Sequence, residues 1–318
     1  MLPLVPSLLL SELPSGATDL APDTRASQPA GMDQPIGQEA LELLEWPRLG
    51  EHLATFASTS AGGALCARLP LGANLEDSRR RLAETTELLG LDGLSEGGLS
   101  FQGVADLGDT LLFCAKGGTA SALALLAVAT TLAAARRLRR QIEDATIRPV
   151  TTALVADLRT LPELEQRLRF CLEEGGRVAD RASAPLAELR RQLAAARSDR
   201  RERLQELIRR HNSLLQDTVV SERNGRPVLA VKAGAASQLV GLVHDSSASG
   251  STVFIEPQAV IALGNRIGVL AGKERELEQQ VLLELSGLVG AEQPALSHLQ
   301  AVLVQLDFAL ARARYGQA

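Results

Sequence analysis

Two long helical runs around a short β-rich stretch constrain this chain more than any other feature. Residues 185–216 contain no glycine, and no proline after Pro185. Their apolar positions Leu186, Leu189, Leu193 and Ala196 step by three and four, meet Arg200 and Arg203, and resume at Leu204, Leu207, Ile208 and Leu215. Residues 259–289 repeat the pattern with Val260, Leu263, Ile267, Leu270, Leu277, Val281, Leu285 and Leu288. Such periodicity beyond ~25 residues marks long packed helices. At ~1.5 Å per residue the two runs would reach about 48 and 46 Å. Between them, residues 217–221 and 228–232 flank Arg223-Asn224-Gly225-Arg226. Asn-Gly between strand-like runs signals a hairpin, because a type I′ turn needs positive φ at both central residues. Residues 239–244 and 252–255 read as two further strands. Equal helices joined by a small β insert predict an antiparallel lever with the β module at its far tip.

The remainder reads as helices with short links. Periodic stretches cover residues 39–57, then 75–91 behind an Asn74 cap and closed by Gly90 or Gly93. A glycine-rich link covers 95–100, and a short helix over 105–116 stops at Gly117-Gly118. Thr119 is the expected cap of an Ala- and Leu-rich helix over 120–143, and Pro162 opens a helix over 161–174. The predicted fold is mainly α: a helical core bundle with two long antiparallel lever helices carrying a small β clamp. The expected segments are a disordered 1–38, a helical core over 39–184, an ascending lever over 185–217, a clamp over 218–258, a descending lever over 259–290 and a core-closing helix over 291–318. Residues 1–38 hold six of the 14 prolines and no aromatic residue, and Met32 is an alternative start to Met1. Gly264, Gly268 and Gly272 recur every four residues and predict close helix packing.

Composition narrows the chemistry. Aromatics are only 3%, which argues against stacked-aromatic RNA platforms. Net charge is -5, so nucleic-acid contact requires a local basic stripe. Residues 181–217 supply one, with nine Arg against five acidic residues. Candidate phosphate contacts are Arg190, Arg191, Arg200, Arg201, Arg203, Arg209 and Arg210 on the first lever, and Arg223, Arg226 and Lys232 in the clamp. The competing reading is a solvated helix with i,i+4 ion pairs. Cys66, Cys114 and Cys171 are too far apart for a zinc motif, and their odd number fits a reducing cytoplasm. His52, His211, His244 and His298 stand singly, so no metal site is expected. The run His244-Asp245-Ser246-Ser247-Ala248-Ser249-Gly250-Ser251-Thr252 holds triad residue types, but consecutively and without a nucleophile elbow, so it reads as a polar loop. No phosphate-binding loop occurs, and no run of 18 apolar residues suggests a membrane span.

At the tip, Val219-Val220-Ser221-Glu222-Arg223-Asn224-Gly225-Arg226-Pro227-Val228-Leu229-Ala230-Val231-Lys232 is followed by Gly241-Leu242-Val243-His244-Asp245-Ser246-Ser247-Ala248-Ser249-Gly250-Ser251-Thr252-Val253-Phe254-Ile255-Glu256-Pro257. This pair of segments resembles the clamp of the second-type MutS paralogues of bacteria. Leu43-Leu44-Glu45-Trp46-Pro47-Arg48-Leu49 and Leu306-Asp307-Phe308-Ala309-Leu310-Ala311-Arg312-Ala313-Arg314-Tyr315 resemble the same family. Pro227, Ala230 and Ser246 depart from its usual aromatic, proline and glutamine. The resemblance implies a core, paired levers and a clamp. It also implies an ATPase domain using ATP and Mg2+ and a small nuclease domain, neither of which this chain contains. It further implies a cytoplasmic homodimer that binds branched, mismatched or duplex DNA, suppresses homologous recombination and acts on stalled or collided ribosomes through rRNA. Phe254-Ile255-Glu256 mimics the mismatch-reading motif of true MutS, but its place at a strand end makes it structural. The alternative is a dimerisation and coupling scaffold with no substrate contact of its own. An independent hydrolase is the third reading, and the missing motifs oppose it.

Overall fold

A computed structural model describes residues 37–94 and 97–318. The expectations for residues 1–36, and for 95 and 96, lie outside the described residues. The chain divides into two units, 1–44 and 45–318. The first unit contributes one described helix, α1 (Gln38–Leu43), whose first turn bonds to the Gly37 carbonyl.

In the second unit the helix expected over 39–57 proves to be interrupted. Glu45 takes a φ of 51°, and α2 (Trp46–Ala54) starts afresh with Pro47 in its first turn. A further helix, α3 (Ser60–Arg68), was hidden by Gly62-Gly63. Thr59 caps it, and Asp307 fixes Thr59 from the other end of the sequence. The Asp307 carboxylate accepts from the Ser58 and Thr59 amides at 2.9 and 2.8 Å and from the Thr59 hydroxyl at 2.6 Å.

Next come α4 (Leu75–Leu94), α5 (Gly108–Ala115) and α6 (Ala122–Ile142). Asn74 caps α4 as expected, accepting from the Asp77 amide at 2.8 Å. Thr119 does not cap α6. Ser121 does, because the Ala120 amide is held by the Ser286 hydroxyl and the helix begins after it. An unforeseen α7 (Pro149–Ala156) has no cap of its own, and Glu87 accepts from its Val150 and Thr151 amides. The sequence shows no local signal for a cap supplied from 63 residues away. Then α8 (Pro162–Cys171) ends where Leu172 pairs with Val178.

The arm begins with α9 (Ala184–Arg210). Its apolar period runs past the helix end because Leu215 belongs to the clamp, as the first residue of β1 (Leu215–Arg223). A four-stranded antiparallel sheet follows, with β2 (Arg226–Lys232), β3 (Gly241–Ser246) and β4 (Thr252–Pro257) in the spatial order β1-β2-β4-β3. Asn224 and Gly225 take φ of 51° and 73°, the positive pair that the two-residue hairpin requires. The chain returns through α10 (Gln258–Ala291) and closes with α11 (Gln293–Tyr315).

Three apolar clusters lie in series. The bundle core surrounds α6 through Leu125, Val128, Leu132 and Leu138, with Leu285 and Val289 of α10 and Leu299 and Leu303 of α11. The lever seam joins Leu189, Leu193 and Ala196 to Ile267 and Leu270. The clamp core joins Leu204, Leu207 and Val260 to Leu215, Leu229, Val231 and Ile255. Low numbers on α9 thus pair with high numbers on α10, so the levers are antiparallel. At about 1.5–3 kcal/mol per buried side chain, the many-membered bundle dominates and the seam is thin. No buried residue stands on α9 between Ala196 and Leu204. The expected close packing on the glycine row is not found at Gly268 and Gly272, where an added Cβ would meet nothing within 4 Å.

Candidate nucleic-acid interface

The ten cations selected from the sequence fall into three environments. At the arm's root, Arg190 is only 9% exposed. Its Nε bonds Glu274 at 2.8 Å, and its terminal nitrogens bond Glu278, Asp180 and the Val178 carbonyl. Burial disfavours its charge, yet the bonds to Asp180, Glu274 and Glu278 prevail and raise its pKa above the usual guanidinium range. The Asp180 carboxyl is correspondingly held below the ordinary carboxylate range, chiefly by Arg190. Arg190 was expected among the phosphate contacts. It is instead the joint between both levers and the bundle, since its donors are already engaged.

Along α9, Arg191 pairs with Glu188 at 2.5 Å, and Arg203 and Arg210 share Glu206 at 2.6 and 3.1 Å. These are the i,i+3 and i,i+4 surface pairs of a solvated helix, worth a few tenths of a kcal/mol each. Arg200, Arg201 and Arg209 have no ion-pair or hydrogen-bond partner among the described residues. Arg197, Arg266, Lys273 and Arg275, outside those ten cations, are exposed and also have no partner among the described residues. Arg197 lies one turn before Arg201, so its spacing was a usable signal.

In the clamp the cations hold the sheet together. The Arg223 guanidinium lies 4.1 Å from the Phe254 ring centroid, and its Nε is 3.4 Å from Asp245. Arg226 reaches Glu256 at 3.4 Å and Asn265 of α10 at 2.7 Å. Glu256 is 1% exposed and also bonds His244 Nε2 at 2.9 Å. A buried carboxylate is tolerable only with such partners. Lys232 donates to the Ser213 carbonyl at 3.0 Å. His244 therefore faces Glu256 rather than a serine, and the Ser247, Ser249 and Ser251 hydroxyls bond one another along an exposed turn. The triad reading fails on this geometry. Phe254 lies beneath Arg223, as a structural residue should.

The chain matches curated relatives over nearly nine-tenths of its length. Endonuclease MutS2 of Synechocystis sp. is 43% identical over 281 residues, 88% of this chain and 34% of that protein. Endonuclease MutS2 of Pelotomaculum thermopropionicum is 38% identical over 289 residues, 89% of this chain and 36% of the relative. The protein of the same name from Symbiobacterium thermophilum is 37% identical over 282 residues, 88% of this chain and 35% of the relative. The chain belongs to the MutS2 family. It spans about a third of the length of the curated relatives it matches. No family model matches it. The MutS2-like pattern at the tip now has a physical meaning: Arg226 and His244 bond the buried Glu256 carboxylate, and Arg226 runs outward to tie the sheet to Asn265 of α10.

Other chemistry finds little support in the described residues. No three His, Cys, Asp or Glu side chains gather there as metal ligands, and no helix among them is long and apolar enough to cross a membrane. All three thiols are buried. Burial, helped by the Asp307 charge, pushes Cys66 up to about 11, and burial also raises Cys114 and Cys171. Such thiols make poor nucleophiles.

Proposed function

We propose that this chain is the nucleic-acid-binding core and clamp region of a MutS-family ATPase and endonuclease that acts on branched or duplex DNA. The observation that carries this reading is the set of unpaired arginines on the lever. Arg200, Arg201 and Arg209, with Arg197, have no partner among the described residues, whereas Arg191, Arg203 and Arg210 of the same helix are paired within it. Guanidinium groups without a carboxylate partner are free to bond phosphate oxygens in pairs. The name endonuclease carried by the relatives agrees with a nucleic-acid partner. ATP and Mg2+ belong to parts of the family outside this chain. Suppression of recombination, action on collided ribosomes, a cytoplasmic site and homodimerisation follow from the same family reading.

A scaffold role in dimerisation or coupling is the second reading. It is favoured by Val269 and Leu283, exposed apolar residues on α10. Binding of the chain to four-way DNA, linear duplex and ribosomes, titrated against salt, separates the two. A steep salt dependence on any of these ligands supports phosphate contact. No binding to any of them favours the scaffold.

A further inference from the structure

The arm has two unlike sides. One is marked by a shallow groove in which Glu188 and Gln192 of α9 meet Lys273, Glu276 and Gln280 of α10. Residues seven apart on a helix share a flank, so Asp199 and Glu206 extend that same side of α9. Its α9 cations Arg203 and Arg210 are already bonded to Glu206, while Lys273 of α10 and Arg266, seven residues before it, share this side with Asp199 and Glu276. The opposite side is therefore the flank carrying Arg190, Ala194, Arg197 and Arg201 on α9, beside Gly264, Gly268, Ala271 and Arg275 on α10. Its carboxylates are Glu274 and Glu278, both taken by Arg190. Arg197, Arg201 and Arg275 are exposed there, with no partner among the described residues. At the clamp end of this flank the Arg226 side chain comes within 2.9 Å of where a Gly264 Cβ would stand. Gly268 is open, so the floor between the arginines is low.

The Arg197–Arg201–Arg275 side thus carries three unpaired guanidinium groups and no unpaired carboxylate, whereas on the other side the unpaired cations Arg266 and Lys273 share their flank with Asp199 and Glu276. We infer that the Arg197–Arg201–Arg275 side is the surface that seats the sugar-phosphate backbone of duplex DNA. The inference rests on the nucleic-acid reading above and adds to it which side binds, together with Arg197 and Arg275. Charge complementarity selects a polyanion. The glycine floor lets a rigid backbone approach until all three fork-shaped side chains reach it.

The test uses the 318-residue chain and a fluorescent linear DNA duplex, with an RNA duplex of the same sequence as a second arm. Two triple variants remove equal charge: Arg197→Gln/Arg201→Gln/Arg275→Gln on the proposed side, and Arg203→Gln/Arg210→Gln/Lys273→Gln on the other. Each lost phosphate contact flattens the plot of log affinity against log salt by about 0.9. The first variant should flatten it by about 2.7 and bind more than about 10-fold weaker at low salt, while the second changes the slope by less than about one contact's worth. A third variant, Gly268→Gln, adds bulk without charge and should weaken binding several-fold without lowering the thermal unfolding temperature, since Gln is the better helix former. Equal losses from the two triples would overturn the choice of side and leave the arm as the binding element. A parent that binds while neither triple weakens it would overturn both the side and the arm. No parent binding to either duplex would overturn the nucleic-acid reading itself. Tighter binding of the RNA duplex would overturn the choice of DNA, and unaffected binding by Gly268→Gln would overturn the close seat.

Discussion

Arg223 in the clamp lies over Phe254 and beside Asp245, whereas Arg201 on the lever meets no partner among the described residues. Both are arginines near the tip of one arm, and a count of charges treats them alike. Their neighbours do not. The sheet is four short strands with few buried apolar residues, so its cations bridge strands and reach the lever. The lever is a helix whose backbone is already satisfied along its length, so beyond the root joint at Arg190 the flank residues Arg197 and Arg201 carry no structural duty. A charge that must stabilise a small sheet is lost to a ligand. A charge on a self-sufficient helix is available to one.

The largest effect that would sharpen this contrast is expected from Glu256→Ala. It strands His244 and Arg226 around a site that is 1% exposed. Breaking a buried pair costs about 3–5 kcal/mol, and the half-exposed Arg226 places this case near 3. Amide exchange in β4 should accelerate while the bundle core is unchanged. Arg201→Ala should stay within about 0.5 kcal/mol of the parent in chemical denaturation, since Ala is the better helix former. A cost above 1 kcal/mol there would blur the contrast.

Next is Arg190→Met, expected to cost about 2–3 kcal/mol because its carboxylate partners remain partly solvated. The accompanying pH effect has a definite sign. Asp180 is held below the ordinary carboxylate range by Arg190. Its contribution is therefore complete above about pH 3.9, the unfolded value, and is lost as pH falls through its lowered folded value. Carboxyl NMR titration should find its midpoint below 3.9 in the parent and shifted upward in Arg190→Met. An unshifted midpoint would mean that the root joint is not formed in solution.

Arg223→Ala should cost about 1 kcal/mol, from the ring contact and a half-exposed ion pair. The smallest difference is dynamic. Amides of residues 197–203, where α9 buries nothing, should exchange faster than those of α6. Equal protection would show the seam to be as firm as the bundle.

Much of the architecture was legible because it rests on local pattern. The lever helices follow from their three-and-four spacing, and the hairpin from Asn224-Gly225, which takes the positive φ pair. The roles of the cations were not legible. The two α10 partners of Arg190 lie 84 and 88 residues away, and those of Arg226 lie 30 and 39 away. Charge counting sees neither. The missed α7 has the same cause, its cap being Glu87 on another helix. Arg197 differs, because its i,i+4 spacing to Arg201 was visible from the start.

The contrast between clamp and lever stands or falls on one salt titration of duplex DNA binding, run on the parent, on Arg223→Gln/Lys232→Gln and on Arg197→Gln/Arg201→Gln/Arg275→Gln. The clamp pair should leave the slope of log affinity against log salt within about half a contact of the parent, while the lever triple flattens it by about 2.7. A slope flattened by about 1.8 in the clamp pair and unchanged in the lever triple would place the phosphate contacts at the tip and contradict the division of labour proposed here.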